Sequence, residues 1–391
     1  MTDHGKSRNR SARHFALALL TTAYVFNFID RQILAILLPA IKLEFGVEDW
    51  VLGFLAGPAF AILYVTLGIP LAFVADRWNR RNLIAISLAV WSAMTFLSGM
   101  AANIIQLALA RIGVGVGEAG FSPPAHSMIA DMYPPERRSL AMGVFTLGIS
   151  VGIMIAYLGG GWMVTTFGWR QAFFIVGFPG LILAAALFVF VKEPPRGMSE
   201  GKTDSARRFK IFEVVRLLWN RKSFVHMSLG AGLSSFSSYA VLSFFPSFLA
   251  RSHGLGISEI GVYLGLIIGI STAIGFVGGG YLADRVAEIG RRYSMWVMSV
   301  AMLIGWLFIF PIYLTDDPYL VLALFFVPSI LNNMYLATIF SQTQGLVEVR
   351  MRSVASSLLL FVINVLGLSL IHISEPTRRT PISYAVFCVK K

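Results

Sequence analysis

Charge is what this chain has least of: only 13% of its 391 residues are Asp, Glu, Lys or Arg. A water-soluble chain of this length carries about twice that share on its surface, so lipid rather than water must cover most of the exterior. Cysteine is nearly absent as well. The lone Cys388 excludes an intrachain disulfide, and it leaves no basis for a Cys-based metal site or a thiol mechanism. Acidic residues are few, with 20 Asp and Glu against 32 Lys and Arg, for a net charge of +12. In a soluble protein that excess would suggest nucleic acid. Here the basic residues stand between apolar runs, where they mark membrane topology instead, so no nucleic-acid partner is expected. No metal or cofactor site is expected either.

What fills the chain is apolar. Hydrophobic residues make up 56%, and the mean hydropathy is +0.72. Phe (31 residues) suits a lipid-facing surface, and Gly (36 residues) suits close approach of helices in a bilayer. A helix crossing the hydrocarbon needs about 20 mostly apolar residues. Eleven segments qualify: 15–42, 50–75, 82–100, 103–131, 140–165, 169–191, 223–250, 257–283, 293–314, 318–346 and 353–371. The basic N-terminus is followed by an apolar run too long for a signal peptide and without a clean cleavage site, so residues 1–14 read as a cytoplasmic tail. With that tail inside, nearly all Lys and Arg fall in cytoplasmic connections. The opposite connections hold only Lys42, Arg170 and Arg251. The chain is therefore expected to be an all-α polytopic membrane protein, in a bacterial inner membrane, with membrane lipids as its surroundings.

Residues 192–222 form the longest polar stretch and read as a cytoplasmic linker, with a short amphipathic helix near Ile211–Trp219 on the membrane surface. The linker separates a half spanning 15–191 from one spanning 223–371. A repeat supports this division. AFVADRWNRR carries Asp76, Arg77, Arg80 and Arg81 after the second segment, and GYLADRVAEIGRR carries Asp284 and Arg285 after the eighth. Arg138-Ser139 opens the fifth segment as Arg352-Ser353 opens the eleventh. Duplication of a six-helix unit explains both matches. It also predicts a twelfth segment that the pattern lacks after Ile371. Residues 372–391, with Glu375, Pro376, Arg378, Arg379 and Pro381, have too many charges and prolines to span. They resemble read-through of a cloning adapter and are expected to be non-native, disordered and poorly packed. Transport by this chain is then expected to be poor.

Four charges lie inside apolar segments: Asp30 and Arg31 in the first, Arg111 and Glu118 in the fourth. Ionisable groups at bilayer depth normally face a partner or a wet cavity. Arg111 and Glu118 share a helix face, two turns apart. Tyr24, Asn27 and Arg31 share another, while Asp30 points about 100° away from Arg31. Such a cluster can be a buried ion-pair network that fixes packing. It can also be a coupling site, because a carboxylic acid in a low-dielectric cavity is easily protonated and a nearby guanidinium holds it ionised. His226 and Tyr239 in the seventh segment, and Asn332, Asn333, Tyr335 and Gln342 in the tenth, are further polar groups at depth. They either bond helix to helix or touch a substrate. Gly115 to Gly120 spells GxGxxG, but no strand precedes it, so it reads as close packing rather than nucleotide binding. Ser122, His126 and Asp131 do not share a face, which argues against a hydrolytic triad, and no enzyme activity is expected.

The AlaAspArg signature with trailing arginines resembles the signature of the major facilitator superfamily. Ala72 and Asn79 stand where glycines are common in the first copy, and Gly280 and Gly290 are kept in the second. FNFIDRQ (Phe26–Gln32) and RIGVGVGEAGFSPPAHSMIADMYPPERRSLAMG (Arg111–Gly143) resemble the Spinster-like branch, to about residue 370. That resemblance implies a major facilitator fold of two six-helix halves whose first, fourth, seventh and tenth helices line a cavity. It implies that Asp30, Arg31 and Glu118 are linked to transport. The implied activity is proton-coupled secondary transport by alternating access, in a monomer, of an amphipathic or small organic anion such as a lysolipid. A non-transporting receptor or lipid-binding module is the alternative. Asp76 is expected to cap the eleventh helix near Arg352-Ser353, and Asp284 the fifth near Arg138-Ser139, as cytoplasmic clasps.

Overall fold

The computed structural model describes residues 3–202 and 209–374, and every regular element among them is helical. Residues 375–391, most of the tail expected to be non-native, lie outside the described residues, as do Arg207 and Arg208 of the linker. The first half contains α1 (Asp3–Phe45), α2 (Asp49–Ala56), α3 (Pro58–Arg77), α4 (Arg80–Ser98), α5 (Ile104–Ala119), α6 (Ser122–Met132) and α7 (Arg138–Phe190). The linker holds α8 (Ile211–Trp219). The second half contains α9 (Lys222–His253), α10 (Ile257–Ala287), α11 (Arg291–Leu307), α12 (Ile309–Leu314), α13 (Pro318–Leu331), α14 (Tyr335–Gly345) and α15 (Arg352–Ser374). Among the described residues, nine helices are long and apolar enough to cross a membrane.

These elements differ from the eleven continuous segments at points the local chemistry explains. Helix α1 begins at Asp3, so most of the expected N-terminal tail continues the first helix. The fourth segment breaks between α5 and α6, where Pro123 and Pro124 supply no N–H to bond the preceding turn. The second segment breaks at Gly57, just before Pro58. The tenth breaks between α13 and α14, and Pro328 lies just before that break. Conversely, α7 runs through the expected fifth and sixth segments, but Gly168 sits at φ 82°, ψ 165°, a conformation open to glycine and one that ends a helix. Two helical arms therefore meet there. Asn79 and Asn103 cap α4 and α5, each accepting a backbone N–H at 2.9 Å, which fixes where those helices start.

Packing distinguishes the two ends of the bundle. At the end bearing most of the arginines, hereafter the basic end, one apolar core runs through both halves. It joins Leu20, Trp91, Met128 and Phe145 of the first half to Ala283, Met298, Phe340 and Val354 of the second. Towards the opposite end the core divides. One cluster, around Ile33, Leu37, Leu107 and Trp169, belongs to the first half, and another, around Phe245, Leu249, Leu264 and Val321, belongs to the second. The halves are thus packed together at the basic end and cored separately at the other. Close approach is built with glycine. A Cβ on Gly280 would collide with the Ser139 carbonyl, and one on Gly143 with the Phe276 carbonyl, so α7 and α10 touch backbone to backbone between halves.

Candidate functional site

The four intramembrane charges form two separate ion pairs between α1 and α5. Arg111 Nη1 donates to Asp30 Oδ1 at 2.8 Å, and the Thr95 hydroxyl of α4 donates to Asp30 Oδ2. Both charged side chains are about 98% buried or more, with exposures of 2% and 1%. Arg31 Nε donates to Glu118 Oε2 at 2.6 Å. Glu118 is buried and its Oε1 has no hydrogen-bond partner, whereas the Arg31 side chain keeps 18% exposure at mid-helix. One pair is sealed, with both Asp30 oxygens bonded and only Arg111 Nε left unpartnered, and the other borders open space.

Aromatic rings frame the open pair. The Arg31 guanidinium lies 4.4 Å from the Tyr64 ring centroid, 5.0 Å from that of Phe60 and 5.1 Å from that of Phe28. Such stacking holds a cation without neutralising it. Tyr24 stacks on Phe145 at 4.4 Å, two turns before Arg31 on α1. Tyr239 of α9 is near enough to interact electrostatically with Arg31, so this site looks across to the second half. Glu118 sits in the last turn of α5, immediately before the proline-made break. Irregular backbone at membrane depth is tolerated where it lines a cavity or is covered by protein. Asn27 is buried with neither amide atom partnered.

The remaining expected cavity residues divide. Tyr335 is buried against Ser234 of α9. Asn332 lies against Gly305 of α11, and Asn333 returns its amide to the Ser329 carbonyl at 2.7 Å, so both serve packing within the second half. Gln342 is half-buried, and His226 is exposed near the start of α9, away from the charge pairs. The Ser122, His126 and Asp131 side chains are not assembled. His126 stacks on Phe340 at 4.0 Å with its Nδ1 unpartnered, while both Asp131 oxygens are held by other groups. Gly115 and Gly117 meet the Phe60 carbonyl and the Trp91 backbone, which accounts for the GxGxxG as helix contact.

At the basic end Asp76 accepts the N–H groups of Ser353 and Val354, both at 3.0 Å, at the start of α15. Asp284 accepts those of Ser139 and Leu140 at 3.1 and 2.8 Å, at the start of α7. Each aspartate thus bridges the halves to a helix N-terminus, where the macrodipole favours an anion. The arginines that follow are not equivalent. Arg80 is fully buried and donates to Asp131 at 2.5 Å, Ser127 at 2.9 Å and Glu193 at 2.7 Å. Arg81 reaches the Phe188 carbonyl at 2.7 Å and Arg77 the Phe209 carbonyl at 2.9 Å. Arg285 donates to Tyr281 of its own helix at 3.2 Å, on the surface.

Sequence reading missed the linker's part in this end. Arg352 of α15 donates to Asp131 at 2.6 Å and to Glu200, and Arg138 of α7 donates to the same Glu200 oxygen at 2.5 Å. Glu200 lies outside the spanning segments. Burial works against its charge, but hydrogen bonds from Lys202 and Arg138 and the charges of Arg352 and Arg138 hold its carboxyl down at about 2. Glu193-Pro-Pro-Arg196 was the available signal: an acid and a rigid turn directly after a spanning helix.

With this geometry in view, comparison with known proteins is direct. The model of the Major Facilitator Superfamily matches residues 20–371. The chain belongs to the major facilitator superfamily. An MFS-type efflux pump of Mycolicibacterium smegmatis is 31% identical over 369 residues, 94% of this chain and 84% of the pump. The cis,cis-muconate transport protein of Acinetobacter baylyi is 28% identical over 290 residues, 70% of this chain and 67% of that protein. Among solved structures, a bacterial homologue of the human lysosomal transporter Spinster, inward-facing and unoccupied, superposes with a TM-score of 0.64 at 32% identity. That match covers 91% of this chain and 80% of the homologue. The chain thus has the major facilitator fold and is similar to Spinster proteins.

Proposed function

We propose that this superfamily member is a proton-coupled secondary transporter of an organic anion, working by alternating access with Arg31 and Glu118 as its coupling pair. One observation carries the reading: of the two intramembrane ion pairs, Arg31–Glu118 is the one with appreciable exposure, 18% at Arg31, and the one whose carboxylate keeps an unpartnered oxygen, Glu118 Oε1. An anionic substrate needs a cation that water and substrate can reach. When Glu118 binds a proton it loses its hold on Arg31, and the guanidinium fork then faces a substrate carboxylate or phosphate. When Glu118 releases the proton the pair re-forms and the anion leaves. The aromatic frame suits an anion with an apolar body, from a muconate-like acid to a lysolipid. Asp30 and Arg111 position α1 on α5, and Asn27 and Tyr24 complete the wall.

The Lys/Arg distribution supports an N-terminus in the cytoplasm, and the helices on either side of Gly57 and of Gly168 support eleven passes. On that reading the basic end is cytoplasmic and closed, so this is the outward-facing state, opposite to the one named for the Spinster homologue. Uptake of labelled organic anions into proteoliposomes against a pH gradient is the test. The reading expects accumulation that Glu118→Gln abolishes while ligand still binds. A receptor would bind ligand and move none, and pH-driven accumulation that persists in Glu118→Gln would remove the coupling role.

A further inference from the structure

We propose that α8 is a docking surface for anionic phospholipid headgroups in the membrane leaflet at the basic end. This goes beyond the transport reading and does not depend on it. Two faces of the helix make the case. Val214 and Leu218 are buried at 2% and 1% exposure, seating α8 on α15 and α9. On the other side Phe212 and Trp219 stand out at 74% and 62% exposure, with exposed Arg216 between them, about one turn from each. Lys210, Arg221 and Lys222 flank this face, all exposed, and among the described residues Glu213 is its only acid.

The neighbouring cations are already engaged. Arg196 is bonded to the Ala75 and Trp78 carbonyls, Lys202 to Glu200, and Arg138 and Arg352 to Glu200 as well. Lys210, Arg216, Arg221 and Lys222 make no ion pair among the described residues. Their charge is therefore available to a partner outside the chain. Aromatic rings alternating with cations on one helix face match the headgroup layer, where amphipathic rings sit at the polar boundary and Lys and Arg meet phosphate. Four cations against one acid select a lipid with net negative charge over a zwitterionic one. The Arg77 bond to the Phe209 carbonyl ties the approach to α8 to the end of α3, so a headgroup bound here touches a segment joined to both halves.

The test places a spin label at exposed Asn220, by Asn220→Cys with Cys388→Ser, in the otherwise full chain. Vesicles of phosphatidylcholine alone are compared with vesicles containing phosphatidylglycerol, and label depth is read from collisions with oxygen against a water-soluble nickel chelate. Phosphatidylglycerol should move the label from water to headgroup depth, and salt should weaken the effect. Each of Lys210→Gln, Arg216→Gln and Arg221→Gln should lower the ratio of docked to undocked label by about fivefold. Unchanged monodispersity of the triple variant shows that its fold is kept, and if it is lost the single variants supply the comparison. A label equally exposed in both vesicles, or a phosphatidylglycerol effect that survives in the variants, would overturn the proposal.

Discussion

At the scale of residues, the two ion pairs differ in what they can do. Asp30 is bonded at both oxygens, by Arg111 and Thr95, and is almost fully buried. Removing one partner of such a pair strands a buried charge, at a cost of about 3–5 kcal/mol. Arg111→Leu should therefore lower stability in detergent by about that amount, and adding Asp30→Asn should recover most of it. Thermal unfolding of the two variants checks this, and equal losses in both would contradict it. The sequence showed that four charges lie at membrane depth and that Asp30 and Arg31 point apart. It did not show which charge met which. Partner choice depends on Thr95 from α4 and on Phe60 and Tyr64 from α3, whose approach to α1 is set by packing far away in the chain.

At the scale of elements, closure of the basic end rests on contacts that can be weakened one at a time. Asp76 caps α15, and an N-terminal anion contributes about 1 kcal/mol. Asp76→Asn should shift the population towards opening at this end by about fivefold, read as cysteine accessibility near Arg352. Gly280→Leu should do more, because its side chain has no room against the Ser139 carbonyl. Accessibility unchanged from wild type in Gly280→Leu would contradict the α7–α10 contact. The linker clasp carries a pH statement as well. Glu200 is held at about 2, below its ordinary value, so its stabilisation is complete above that ordinary value and is lost only as pH falls towards 2. Closure through Glu200 should thus be constant from about pH 5 to about pH 8. A pH-dependent change that disappears in Glu200→Gln over that range would contradict this. Apolar runs made the helices legible, but not the α5–α6 break at Pro123 and Pro124. The clasp was not legible, because a polar linker reads as solvated until Arg138 and Arg352 are seen to converge on it.

At the scale of the molecule, one joint core at the basic end and two separate cores at the other describe a protein closed on one side. The repeat pointed to matching contacts at Asp76 and Asp284, and each aspartate accepts backbone N–H groups at a helix start. It did not disclose the asymmetry of the halves: Arg80 is buried in a charge cluster, while Arg285 stays on the surface. The central claim is that the halves rock about the Arg31–Glu118 site. Spin labels at exposed Arg137 and Ile289, one in each half at the basic end, test it most directly in the membrane, with Cys388 replaced. Distance distributions measured across a pH series should show a short and a longer population whose ratio changes with pH, and Glu118→Gln should fix that ratio. A single distance at every pH, or an unaltered pH response in Glu118→Gln, would contradict the account.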